Sequence, residues 1–582
     1  MVCFSACRSR VRELVAATLL IAANASAQDQ DQQLVRKYPG ENAVITENNR
    51  LLTIYTESGK VFAYTRASQE ILLLTDLSTG MFNDNYVNHS FFNKLTEVSG
   101  ETLIPGRKGY KSIKAKEFRT ARSTSEGIFL DDGLQTKITF AGLEKGARTR
   151  TSYRLDHTDI HFLPVHYFQT YLPVDRSVYK VTVDKDVQLG WQLRNMDTSL
   201  VKLTIDTLKR SIEYTWTAAP MPRFSSFEDA PEVAYYMPHL ILYISSYRSR
   251  GTDSRVFGST DDLYNFYYPF ISGLSRSADQ PLKTQVATII KDLKSPEEKA
   301  AAIYRWVQTN IKYVAFEAGM EGFIPREASL VFQRKYGDCK DMSNLLVAMC
   351  REAGLEAYHT WIGTRNKPYR YAETPLPIAD DHMICAVALN GKYVFMDGTD
   401  ALIPFGIPPS YVQGKEALIG VSKEKYEIIE VPVIPAAANK VTDSTHITLD
   451  GKTVKGTVDI RIEGYGAWGL DRMMRYQNEK EKEDAVKAIA SRGSNKYIQK
   501  SFSYEVAPTS GKELNAKTEF ELHDYAQQAG KEWYVNLNLQ RNYEDSWVDT
   551  RERKVALEHR YRSRTRQVVS MDIPAGYRVS YL

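Results

Sequence analysis

The chain has 582 residues, of which 43% are hydrophobic and 25% charged, with a formal net charge of +4. That length exceeds what one hydrophobic core supports, so roughly two to four domains are expected. So small a net charge makes no electrostatic case for a nucleic-acid partner, and no low-complexity tract or repeat suggests a fibrous or disordered class.

At the N-terminus, Arg8, Arg10 and Arg12 precede an apolar run, Leu14 to Ala23, which leads to the small-x-small site Ala25-Ser26-Ala27. This three-part layout is that of a signal peptide spanning 1–27, and the run is too short to remain as a bilayer span. Export to the periplasm or cell surface is expected, with no transmembrane segment after cleavage. Removal of 1–27 takes Cys3 and Cys7 and leaves Cys339, Cys350 and Cys385. Three cysteines are no disulfide framework, and at least one thiol stays unpaired.

From about residue 43 to 225 the texture is mainly strands. Leu51–Thr56 and Val61–Thr65 flank Ser58-Gly59 as a hairpin, and Lys137–Phe140 and Val178–Val183 repeat the pattern. A β-sandwich over 28–235 is expected. The abundance of tyrosine, 36 residues, suits β-rich domains. His157, His161 and His166 fall here in strand-like sequence broken by Pro164. With no helix to set ligands at i and i+4, zinc is the weaker reading.

Near residue 280 the periodicity turns helical, with Val286, Ile289, Ile290 and Leu293 at i, i+3, i+4, i+7. Ser295-Pro296-Glu297-Glu298 then opens a helix through Trp306 to about Ile311. Trp306 itself reads as core. Further on, Tyr336-Gly337-Asp338-Cys339-Lys340-Asp341 runs into Met342, Leu345, Leu346 and Met349, again at helical spacing, closed by Gly354. Cys339 is therefore placed at a helix N-terminus. Backbone N–H groups and the dipole there stabilise a thiolate and can hold an oxyanion. Gly337 permits close approach, and Asp338, Lys340 and Asp341 are read as holding the loop or tuning its field. The competing reading of Cys339 is a small buried residue.

His359 lies in a strand, Glu356 to Ile362, and reads as structural. The next two strands decide the matter. Asp381-His382 to Leu389, Asn390-Gly391, and Lys392 to Asp397 form a hairpin, because Asn-Gly favours a two-residue turn. That turn pairs Leu389 with Lys392, hence Ile384 with Asp397 and His382 with Thr399. His382 and Asp397 then share a face as diagonal neighbours. Cys385, of opposite parity, points away. Cys350, late in its helix, reads as core; buried thiols are expected at both, with a Cys350–Cys385 disulfide as the alternative. A domain over 236–420 holds these parts, and a C-terminal β-rich domain covers 421–582, with strands at His446–Leu449 and Thr457–Ile462 and one solvated helix from about Leu470 to Arg492.

A thiol, a base to share its proton and an acid to orient that base are the parts of thiol acyl transfer. Gly337-Asp338-Cys339-Lys340-Asp341, Asp381-His382 and Met396-Asp397-Gly398-Thr399-Asp400 resemble the three motif blocks of the bacterial transglutaminase-like superfamily. The β-rich region before them is similar to the uncharacterised domain that accompanies such cores in exported bacterial proteins. The resemblance implies a multidomain α+β chain with a papain-like central domain. It implies that Cys339 is nucleophile, His382 base and Asp397 orienter, with no cofactor or metal required. It leaves the second oxyanion donor open between Gln333 and Tyr313. A peptide or protein substrate is implied, with hydrolysis favoured over lysine cross-linking. The alternative is a non-catalytic binding or scaffold protein with a vestigial core; a substitution at a triad position would signal it, and none is present.

Overall fold

The computed structural model describes residues 31–106, 109–123, 128–130, 132–275, 277–506, 513–541, 548, 550–551 and 553–581. The expected signal peptide, with Cys3 and Cys7, lies outside the described residues. Among these, no helix is long and apolar enough to cross a membrane.

The N-terminal region is a β-sandwich, as the strand texture implies. Its large sheet has eight strands, in the order Val201–Thr207, Ser211–Ala218, Ser177–Asp184, Ala43–Glu57, Lys60–Leu73, Arg148–His157, Asn93–Gly106 and Gly109–Lys114. The first hairpin turns at Ser58 and Gly59, both at positive φ (54° and 80°), the geometry of a two-residue turn. Strict alternation of buried and half-buried residues along Ser177–Asp184 turns Tyr179, Val181 and Val183 inward. They meet Leu240, Leu242 and Ile244 of a second sheet, in which His239–Ser249 pairs with Val187–Arg194 and with His166–Tyr167, so the sandwich runs past the boundary expected at 235 because the central strand of this sheet lies beyond it.

The central region is α+β. Helix α1 (Pro296–Asn310) starts at a full capping box between Ser295 and Glu298. Helix α2 (Cys339–Glu352) lies between α1 and an antiparallel sheet. With strands β1 (Ala357–Ile362), β2 (His382–Leu389), β3 (Lys392–Met396), β4 (Glu416–Ser422) and β5 (Lys425–Glu430), the sheet order is β3-β2-β1-β4-β5. The amphipathic pattern of α2 understates its burial. Met342, Leu345, Leu346 and Met349 fill the core, and its polar residues are buried too. They are tolerated because each is bonded: Ser343 donates to the Ile384 carbonyl (2.8 Å), and Asn344 donates to the Arg326 carbonyl (2.7 Å) and faces His359 (3.0 Å). Burial pushes the His359 pKa down to about 3, so this imidazole is neutral and structural.

The C-terminal region is a five-stranded sheet, ordered Tyr497–Val506, Glu513–Leu522, Thr453–Glu463, Lys440–Asp450 and Arg564–Met571. The single helix expected over 470–492 is instead two, α3 (Tyr465–Met474) and α4 (Glu479–Ala490). The break is a further capping box: Asn478 accepts from the Glu481 N–H while Glu481 reaches back to Asn478. The Asn-x-x-Glu signal was present in the sequence and was masked by the run of helix-favouring charges around it.

The sandwich and the central domain share one core. Tyr264, Tyr267, Trp361, Tyr371 and Met383 join the cluster that contains Leu240 and Val181. Trp361, 5% exposed, stacks on Tyr267 with ring centroids 5.1 Å apart. Trp361→Ala is expected to lower unfolding stability by about 3–5 kcal/mol through the cavity it leaves. In denaturant titrations, probes in the two domains should shift together; two separated transitions with only one displaced would contradict the shared core.

Candidate active site

Helix α2 begins where its first residues demand it. Asp338 is the N-cap and accepts from the Asp341 N–H (3.2 Å), while Asp341 accepts from the Asp338 N–H (3.3 Å). This reciprocal box uses two of the four N–H groups a helix start leaves over. The two remaining belong to Cys339 and Lys340. The flanking charges therefore hold the loop. Buried Lys340 pairs with Asp338 and donates to the Phe316 carbonyl (3.2 Å), and Arg326 pairs with Asp341 (3.1 Å). Burial and the neighbouring Asp338 hold the Asp341 pKa above its ordinary value in spite of Arg326. At Gly337 a Cβ would stand 2.6 Å from that of Asp341, so any larger residue would push the box apart.

The second part is the β2–β3 hairpin. Asn390 and Gly391 both take positive φ (50° and 74°), and Leu389 pairs with Lys392, Val387 with Val394 and Cys385 with Met396. This is the register that the Asn-Gly turn implies. It places His382 Nε2 2.7 Å from Asp397 Oδ2. Cys385 turns the other way, into the core beside Cys350. Both thiols are fully buried and all three described cysteines are free, so the Cys350–Cys385 disulfide is not formed. Burial pushes the Cys350 thiol up to about 12.

Asp397, 2% exposed, receives four donors. The Thr399 N–H (3.0 Å) and hydroxyl (2.7 Å) donate to Oδ1; His382 (2.7 Å) and the Tyr411 hydroxyl (2.8 Å) donate to Oδ2. Burial opposes its ionisation, but the His382 charge and these bonds together hold its pKa below the ordinary value. For His382, burial disfavours the cation; the Asp397 carboxylate outweighs it, the Cys339 sulfur adds to it, and the pKa stands well above the ordinary 6.5. Since Nε2 is used by Asp397, Nδ1 is the ring nitrogen left for the sulfur. Tyr304 of α1 donates to the Asp397 carbonyl (3.0 Å), and Gln308 to the carbonyls of Asp400 (2.6 Å) and Ile403 (2.8 Å).

Cys339 and His382 open onto a cleft of about 510 Å³. Of the two oxyanion candidates, Tyr313 lines this cleft, whereas Gln333 stands on the exposed side of its helix, away from it. Partial burial, reinforced by Cys339 and Asp338, raises the Tyr313 pKa and keeps its phenol a donor. His157 bonds Thr65 and Asn93, His161 bonds Asp159, and His166 is packed between Phe168 and Tyr179, so the three face different partners. Sequence reasoning names Thr399 within the third motif block but not its bonds to Asp397, and it misses Tyr411 and Tyr304. An Asp-x-Thr spacing, in which the side chain accepts from the residue two ahead, could have found those bonds; nothing local marks the tyrosines.

Residues 283–398 match the family model of the Transglutaminase-like superfamily, and residues 85–225 match that of a domain of unknown function, DUF3857. The chain thus carries a transglutaminase-like core behind a DUF3857 domain. A solved candidate protease from Parabacteroides distasonis is 14% identical, with a TM-score of 0.54 over 85% of this chain and 94% of that one, and has the same fold. A candidate cysteine protease from Cytophaga hutchinsonii is 15% identical over 40% of this chain and 74% of that one, at a TM-score of 0.18. A comparison with curated proteins finds no match.

The pair has a defined pH signature. The raised His382 pKa contributes stability that is complete below 6.5 and lost as pH rises through its folded value. The depressed Asp397 pKa contributes stability that is complete above 3.8 and lost as pH falls through its folded value. The stability difference between the native protein and His382→Gln should therefore be greatest between about pH 4 and 6.5 and shrink on either side. A difference flat from pH 5 to 9 in urea titrations would contradict the pairing. Tyr411→Phe removes one donor to Asp397, worth about 1 kcal/mol, and should slow alkylation of Cys339 about fivefold.

Proposed function

We propose that this chain is a thiol-dependent acyl-transfer enzyme acting on peptide or amide bonds, with Cys339 as nucleophile, His382 as general base and acid, and Asp397 as orienter. The observation that carries it is the 2.7 Å bond from His382 to a buried, four-donor Asp397, on the same cleft as a cysteine at a capped helix start. His382 takes the thiol proton and the sulfur attacks the acyl carbon, moving the carbonyl electron pair onto oxygen. The N–H groups of Cys339 and Lys340, with the Tyr313 phenol, are the donors available to that oxyanion. Collapse expels the amine, which leaves with the proton from His382, and a thioester remains. Water then gives its proton to His382 and adds to the thioester; the carboxylic acid leaves and the thiol is restored.

Hydrolysis is favoured over cross-linking, and the description of the Parabacteroides distasonis protein as a candidate protease accords with it. Export to the periplasm or cell surface follows from Arg8, Arg10 and Arg12, the apolar run and Ala25-Ser26-Ala27.

The test is the pH profile of iodoacetamide alkylation, read peptide by peptide by mass spectrometry, beside Cys339→Ala and His382→Ala. Cys339 should react at least tenfold faster than Cys350 and Cys385 at neutral pH, and lose that advantage in His382→Ala. Equal reactivity of the three thiols, or indifference to His382, would refute the reading. Tyr313→Phe should lower kcat on a cleavable peptide by about 10²-fold, the effect of losing an oxyanion donor, and change KM little. Unchanged kcat would remove Tyr313 from the site.

A further inference from the structure

The cleft is not built by the central domain alone. Cys339, His382 and Tyr313 line it, and so do Phe92 and Phe162 of the N-terminal sandwich, together with Phe323 of the central domain. The three rings form one cluster, with centroids 4.7 Å apart for Phe92–Phe162, 4.8 Å for Phe162–Phe323 and 6.1 Å for Phe92–Phe323. None of the three is fully buried, and each presents part of its ring to the open volume. Rings packed only to fill a core have no such free face. The volume, about 510 Å³, suits one compact ligand group, and apolar surface facing it gains most from an apolar occupant.

This wall is fastened by a strand pairing and by one side-chain carboxylate. Ile128–Leu130 of the sandwich pairs in parallel with Ala315–Phe316, on the path to α2. Asp132 then accepts from the Gly319 N–H (2.8 Å) and the Phe91 N–H (3.2 Å), tying the segment that leads to Phe323 to the one that carries Phe92. Gly319 holds φ +55°, and the Phe91 ring comes within 3.0 Å of where its Cβ would be. With the shared core beneath, the sandwich is held at the cleft and cannot swing off it as a free lid.

We propose that the N-terminal domain is the specificity element of the enzyme: Phe92, Phe162 and Phe323 form a subsite for a large apolar or aromatic side chain of the acyl donor. The proposal rests on the acyl-transfer reading above. Asp381, also on the cleft, would disfavour an acidic side chain in the donor, whereas burial raises the Asp380 pKa to about 7 and leaves it a weaker contributor.

The probe is a series of N-capped peptidyl vinyl sulfones that differ in one side chain, Phe, Leu, Ala or Asp, with the second-order rate of Cys339 modification as readout. The Phe and Leu probes should exceed the Ala probe by about ten- to a hundredfold, with Asp slowest. Phe162→Ala should bring the Phe:Ala ratio to within about threefold of unity, and Phe162→Leu should restore most of it. Phe323→Ala, altered from the central-domain side, should erode the same ratio and covers the case in which Phe162→Ala fails to fold. Iodoacetamide runs beside every variant. A Phe:Ala ratio near one in the native protein, or a ratio untouched by both alanine variants, with His382-dependent alkylation intact, overturns the subsite alone. Loss of His382 dependence in the native protein overturns the acyl-transfer reading and the subsite with it.

Discussion

A carboxylate that is 2% exposed is costly to keep ionised unless its oxygens are fully engaged, and the Asp397 oxygens are. Two of its donors come from the residue two ahead, one from β2 and one from the segment before β4. Each constrains a different part of the fold. The Thr399 bonds set the path of the chain as it leaves β3. The His382 bond requires the β2–β3 register to be the one Asn390-Gly391 specifies, since a one-residue slip would turn one partner to the other face. The Tyr411 bond brings the return segment back over the site. Tyr304 and Gln308 then pin the same loop to α1 through its carbonyls, and Arg472 of α3 pairs with Asp400 from the C-terminal domain. The loop that carries this anion thus ties together elements separated by up to 168 residues in sequence, counted from Tyr304 to Arg472.

The other half of the site obeys a different economy. At the start of α2, burial of Asp338, Lys340 and Asp341 is made tolerable by mutual pairing, with Arg326 closing the set. These charges are engaged with one another, Lys340 with Asp338 and Arg326 with Asp341. Their effect is to fix the helix start so that the N–H groups of Cys339 and Lys340 remain outside both the cap and the ladder. A helix start capped by solvent would offer the same dipole but a less constrained position for the sulfur.

What could be read from the sequence follows the range of the forces involved. Helix starts and hairpin turns are local: Ser295 with Glu298, Asp338 with Asp341, and Asn390 with Gly391 act over two to four residues and declare themselves in order. From the turn alone the register followed, and from the register the shared face of His382 and Asp397. The polar side of α2 misled in degree, because Ser343 and Asn344 look like surface residues until the Ile384 and Arg326 carbonyls are seen beside them. The charged stretch after Leu470 misled in kind, its helix propensity concealing the Asn478 cap. Tyr304 and Tyr411 were beyond reach, since each acts on Asp397 from 93 and 14 residues away with no motif around it. Gln333 is near Cys339 in sequence, but the left-handed Lys335 that ends its helix lies between the two and redirects the chain, and Gln333 stays on the outside.

The join between the first two domains bears on what kind of protein can use this core. A papain-like centre needs a strand, a helix and a hairpin; it does not need an eight-stranded sheet. Yet Trp361 and Met383, the latter beside His382 on β2, are packed in the core of that sheet, and Tyr369 bonds His239 at 2.9 Å across the boundary. Had the sandwich been an independent module on a linker, its contact with the core would resemble a transient interface, polar and replaceable. It is instead apolar and continuous with the residues packed beside His382. Removing the sandwich would expose Trp361 and Met383 to water and loosen the strand that carries His382, so the His382–Asp397 geometry and the wall of the cleft are consequences of the same packing.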